Sequence, residues 1–391
     1  MWGGILIANS TTNYYVFFLL GMLLLSFSSA PESGGVVTFG APFLLIAIFL
    51  FVPVFIENLR TLHWTFLLWP TLFIFIIFLT CFIAADPVAS LVRASANLVG
   101  FFLYLGIIAA CMRTTMSVES VGRVLLLSGF VLSVYFVGNL LYSSLLYGFQ
   151  NVILERYVGG AMSLPWGASN TIAQVLLLSV ASYLVVDNKS RFDKVMLGVI
   201  CLGILFTFSR SVIALLGCML LVIFGVRYVI SILLLGATAL IGYISYFSSG
   251  SEEYNTFLSS RLSVENIESG NGRIDTVLEK INYFWAHPFE PIGYYSSVYD
   301  FTLSAHNYWI TTLVEQSLIG VFVSLLFFLT IGRMAYRTSI SVFFAFLIVM
   351  MGLMVEDPNF VQPYIISIWV YFALIVSSGL ERDGRKGLSN A

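Results

Sequence analysis

The sequence predicts an all-α integral membrane protein of about 12 transmembrane helices, with one large external loop that contains an amphipathic helix. Three observations carry the prediction. Hydrophobic residues make up 59% of the 391 and charged residues only 10%, whereas a soluble domain needs roughly 25% charged residues to cover its surface. Run after run approaches the ~20 apolar residues that carry a helix across the hydrocarbon core. These runs do not alternate as barrel strands do. Polarity is instead collected in residues 248–306, which hold eight of the 20 acidic residues, three of the 18 basic ones and two of the three histidines.

In chain order the apolar runs fall at 14–30, 41–56, 65–84, 94–112, 124–146, 169–186, 195–208, 212–226, 228–247, 307–331, 342–354 and 362–380. The seventh, eighth and eleventh are short, so irregular helices or extension into polar flanks are expected there. Residues 1–13 lack a basic stretch, and the run at 14–30 reads as a first span, not a cleavable signal. Twelve spans place both termini on one side. With that side cytoplasmic, it receives 12 of the 18 lysines and arginines, and Arg93, Arg156, Arg210, Arg261, Arg273 and Lys280 face outward. The positive-inside rule therefore turns the long loop, inserted between spans nine and ten, away from the cytoplasm.

The whole chain, 1–391, reads as one polytopic membrane domain, with 381–391 a polar, disordered cytoplasmic tail. Cys81, Cys111, Cys201 and Cys218 lie in apolar runs without CxxC spacing and give no disulfide or metal signal. No phosphate-binding loop, dinucleotide fingerprint or metal-ligand cluster is present, so the sequence suggests no cofactor, metal or nucleic-acid partner.

Within the loop, Ile274, Val277, Leu278, Ile281 and Phe284 follow helical spacing, an apolar stripe suited to the membrane surface or to neighbouring helices. Arg273 and Lys280, seven apart, lie off that stripe. Asn271 and Gly272 suit the helix start and Pro288 its end. An arginine in the first turn adds its charge to the positive end of the helix, a favourable place for phosphate.

Arg210 stands in Phe206-Thr-Phe-Ser-Arg-Ser211, where two apolar runs meet with almost no loop. It is either a snorkelling turn residue or a bidentate phosphate clamp. His306 stands where the loop meets the tenth run, either as an interfacial side chain or as a general base suited to neutral pH. Glu315, nine residues on, lies on another helical face, so direct pairing with His306 along one helix is not expected. Arg93 and Arg156 are further outward arginines able to contact an anion. His287 sits in a Pro- and Gly-shaped turn and reads as structural. Glu356 and Asp357 could balance outward positive charge or hold a hydroxyl-rich ligand.

The order of these motifs resembles the O-antigen polymerase and ligase superfamily of bacterial envelope enzymes. The resemblance rests on Ser209-Arg210, on Gly272-Arg273, and on the turn from His287 to Gly293. It also rests on His306-Asn307 followed by Glu315 and Leu318-Ile-Gly320, and on Trp166-Gly-Ala-Ser-Asn170, and it covers roughly 167–320. It implies a metal-independent glycosyltransferase of the inner membrane, with the loop in the periplasm and a role in lipopolysaccharide biosynthesis. The donor would be a glycan linked through pyrophosphate to undecaprenol. Arg210 and Arg273 would bind the pyrophosphate, and His306 would deprotonate or orient the attacking hydroxyl. Arg93, Arg156, Lys280, Asn307 and Glu315 are the further candidates for contacting pyrophosphate or sugar. A polymerase would transfer to another lipid-linked repeat unit, with a chain-length regulator as an expected partner; a ligase would transfer to lipid A-core. A transporter of lipid-linked sugars is the rival from another class. Paired halves or helices broken near the midplane would mark it, and the sequence shows neither.

Overall fold

The computed structural model describes residues 14–28, 39–58, 64–113, 115–148, 152, 164–165, 168–226, 273–301, 306–357 and 361–389. These residues are 83% helical and contain no strand. The helices in order are α1 (Tyr14–Phe27), α2 (Ala41–Asn58), α3 (Thr65–Cys81), α4 (Pro87–Met112), α5 (Val118–Tyr147), α6 (Ser169–Ser182) and α7 (Arg191–Phe206). They continue with α8 (Arg210–Phe224), α9 (Arg273–Ala286), the single turn α10 (Ser297–Asp300), α11 (Tyr308–Thr338), α12 (Ile340–Gly352) and α13 (Gln362–Ser389). Length and composition qualify five as membrane spans: α2, α4, α5, α11 and the 362–383 part of α13. Helices α1, α3, α6, α8 and α12 are apolar but shorter. The expected run at 228–247 lies outside the described residues; every other expected run falls on a helix.

Caps explain why several helices start earlier than their apolar runs. Asp86 accepts the Ala89 N–H ahead of Pro87 at the first position of α4. Ser117 accepts the Ser120 N–H at the head of α5, and Ser190 with Asp193 forms a capping box on α7. The tail departs from expectation: α13 continues as helix to Ser389, tied down where Asp383 accepts from Arg337 at 2.6 Å.

Helix α13 is the centre of the bundle, buried from Val361 to Gly379 and packed on α4, α11 and α6. In lipid, association depends on close packing because the tails are as apolar as the side chains. Gly100 supplies the closest approach: a Cβ there would lie 2.3 Å from the Trp369 ring. The indole in turn packs against Phe73, Phe101, Tyr104 and Phe327, with centroids 5.2–6.0 Å apart.

One end of the bundle is closed by charge pairs. Arg113 pairs with Glu57, and Arg123 reaches Glu119 at 3.1 Å and the Asn188 carbonyl at 2.8 Å. A polar cavity of about 300 Å³ opens there, lined by Glu119, Asp187, Asn188, Thr338, Glu381 and Arg382 among others. The loop segment docks at the opposite end.

Helix α11 is broken at Ser317, whose φ of 59° and ψ of −168° interrupt the hydrogen-bond ladder. The carbonyls of Val314 and Glu315 instead accept the N–H groups of Ile292 and Gly293, each at 3.2 Å. The part after the break rises roughly 31 Å at 1.5 Å per residue, which matches the hydrocarbon core. The part before it, 308–316, is an extra short helix on the loop side.

Candidate functional site

The loop segment is fixed to the membrane helices by Gly293 and Tyr294. Gly293 has φ +97°, and a Cβ there would lie 2.4 Å from the Ala84 Cα, so the chain approaches α3 as only glycine allows. Tyr294 is fully buried; its N–H donates to the Thr80 carbonyl at 3.2 Å, and its own carbonyl accepts from the Ser90 hydroxyl at 2.7 Å. Its phenol oxygen accepts from Asn97 Nδ2 at 3.1 Å, while Asn97 Oδ1 accepts from Trp369 Nε1 at 3.1 Å. Burial, followed by the charges of Glu315 and Asp357, pushes the Tyr294 phenol well above its ordinary range. Beside it, the Arg93 guanidinium lies 4.8 Å from the centre of the Tyr295 ring.

His306 follows at the foot of α11, with a left-handed φ of 48° that is uncommon for a residue other than glycine. Its Nδ1 is 3.4 Å from both carboxylate oxygens of Glu356, which is buried in the turn after α12. Glu356 Oε1 also accepts from the Thr171 hydroxyl at 3.3 Å, at the head of α6. A carboxylate on Nδ1 favours the tautomer that leaves Nε2 as the base. The His306 side chain keeps 38% exposure, so the ring is both held and accessible. Asn307 caps α11, its Oδ1 accepting from the Trp309 and Ile310 N–H groups.

Arg210 opens α8 directly after the turn at Thr207–Phe208, and its side chain is exposed. Helix α8 packs on α6 and α12, the helices that adjoin Thr171 and Glu356, so Arg210 stands at the same end of the bundle as His306. Arg273 opens α9. Helix α9 lies against α11. Arg156 lies outside the described residues.

Lys280 and Glu315 lie inside the protein. Both are 0% exposed, and among the described residues neither Lys280 Nζ nor Glu315 Oε2 has a hydrogen-bond partner. Glu315 Oε1 accepts from the Ser297 hydroxyl at 2.7 Å and the Ser297 N–H at 3.2 Å. Lys280 Nζ sits 5.0 Å from the centre of the Phe301 ring. Burial lowers the Lys280 ammonium from its ordinary value, and Glu315, Asp357 and Glu279 oppose that shift. Lys280 on α9 thus feels the charges of Glu315, on the short half of α11, and of Asp357, in the turn after α12. His287 is exposed, 3.2 Å from Glu290 and stacked near Tyr283, as a turn residue would be.

Neither the pairing of His306 with Glu356 nor the support from Thr171 is encoded by local spacing, since 50 and 185 residues separate the partners. The break at Ser317 carries no proline to signal it. It lies at the loop-side boundary of the span, not near the midplane where the broken helices of a transporter are found. Among the described residues no group of three or more His, Cys, Asp or Glu is placed to hold a metal.

The fold defines an all-helical membrane protein whose loop-side end combines a carboxylate-held histidine with helices headed by arginine. No protein-family model matches the chain, and no curated protein matches it.

Proposed function

We propose that the protein is an O-antigen polymerase, a glycosyltransferase acting at the periplasmic face of a bacterial inner membrane with both termini in the cytoplasm. The observation that carries the reading is His306 held on buried Glu356 at the end of the bundle where Arg210 opens α8. In this reading the acceptor sugar hydroxyl gives its proton to His306 as its oxygen bonds to the anomeric carbon of the donor glycan. The bond from that carbon to the pyrophosphate oxygen breaks, and undecaprenyl pyrophosphate leaves with the electron pair. Fixed guanidinium groups in a poorly hydrated site stabilise the charge that develops on the leaving oxygens. The long lipid stays in the bilayer throughout, which suits a site at the ends of spans.

Purified protein given only lipid-linked repeat units tests the proposal. A ladder of products supports polymerase; products only when lipid A-core is added would assign the same chemistry to a ligase. A second reading, a transporter of lipid-linked sugars, would draw on the buried Lys280 and Glu315. Movement of donor across a vesicle membrane without any glycosidic bond formed would select it.

A further inference from the structure

Around α9, at ~100° per residue, three kinds of surface alternate. Thr276, Lys280 and Phe284 are buried on one side, toward α11. Asp275, Glu279 and Asn282 are exposed on a roughly opposite side. Between them, next to the half-buried Val277 and Ile281, Leu278 is 51% exposed and Trp285 73% exposed. Phe289, one turn beyond the helix, is 74% exposed. The apolar stripe is therefore only partly used against the protein. Its free edge is bordered on the other flank by carboxylates that require water.

We infer that α9 lies in the membrane plane and docks on the outer-leaflet interface of the bilayer through Leu278, Trp285 and Phe289. Continuity with the lipid-facing surface singles out the bilayer as the occupant. The segment after α9 is stitched to the α3–α4 turn, where Ser296 Oγ accepts from the Ala85 N–H at 2.9 Å and Gly293 sits on Ala84. The neighbouring Phe82, Ile83 and Val88 are themselves 69%, 55% and 72% exposed, an apolar rim at the end of two apolar helices. Tryptophan suits the headgroup boundary because its ring is apolar and its N–H can stay wet. A helix with one flank on protein, one in lipid and one in water is the arrangement expected of an interfacial amphipathic helix. The inference stands apart from any catalytic role.

The test compares wild type with Trp285→Phe in vesicles of phosphatidylcholine brominated near the headgroup or deep in the chains, and with aqueous iodide. The emission lost on substitution isolates Trp285 from the other tryptophans. That component is expected to be quenched roughly twofold more by shallow than by deep bromines, with iodide ineffective. Quenching by iodide and not by lipid would place the residue in water and overturn the inference. Protection from both would overturn it in favour of cover by 248–272 or by a second copy. Phe289→Trp, read as emission gained, repeats the test should Trp285→Phe fail to remain monodisperse.

Discussion

Gly293→Ala is the sharpest perturbation of the loop-to-membrane seam. An alanine at φ +97° carries about 1–3 kcal/mol of backbone strain. Its Cβ would also meet the Ala84 Cα at 2.4 Å, the Ala84 nitrogen at 2.6 Å and the Thr80 carbonyl at 2.8 Å. All three are backbone atoms, so the loop segment must retreat and not a side chain. Retreat weakens the hydrogen bonds from Ile292, Gly293 and Tyr294 to Val314, Glu315 and Thr80, each worth about 1 kcal/mol. The terms overlap, and a local loss of about 3–4 kcal/mol is expected, two to three orders of magnitude in the opening equilibrium. Hydrogen exchange followed by mass spectrometry on purified protein reads it directly. Peptides from 287–301 should exchange at least about a hundredfold faster, with α13 unchanged. Gly198→Ala, where nothing lies within 4 Å of the new Cβ, is the neutral control. Exchange in 287–301 unaltered by Gly293→Ala would refute the docking argument.

Other consequences follow from the same geometry. His306→Ala should lower glycan transfer by about 10²–10⁴ with the protein still inserted, measured with lipid-linked donor; Glu356→Gln, which keeps the ring but removes its counter-charge, should lose less. Lys280→Met removes an ammonium whose burial outweighs the pull of Glu315 and Asp357 and should cost no more than about 1 kcal/mol in detergent unfolding. The Tyr294 phenol keeps its proton in the folded protein where the unfolded chain releases it near pH 10. Its contribution to loop docking is thus complete below pH 10 and lost as pH rises above that value; Tyr294→Phe should flatten this limb in exchange measured against pH.

Hydropathy made the helices legible because a span must be apolar along its whole length, whatever its neighbours. Their starts were less so, since Asp86 and Ser117 extend α4 and α5 with polar caps that lie outside the apolar runs. Two features of the loop-side end were readable in part. The turn from His287 to Gly293 announced itself by its prolines and glycine, and the stripe on α9 by its spacing. Which edge of that stripe turns inward was not, because the side carrying Thr276, Lys280 and Phe284 is chosen by packing on α11, far along the chain. For the same reason the sequence named His306 and Glu356 separately but could not pair them. Ser317 stayed hidden because the break is held by Ile292 and Gly293 from a different segment.

The most direct test of the proposed function is transfer by purified protein in detergent, without lipid A-core or a membrane gradient. Wild type should convert undecaprenyl-pyrophosphate-linked repeat units into a ladder, while His306→Ala and Arg210→Ala, equally well inserted, should make it at least about a hundredfold more slowly. A ladder undiminished in both variants would contradict the assigned site, and no new glycosidic bond under any acceptor would contradict the enzyme itself.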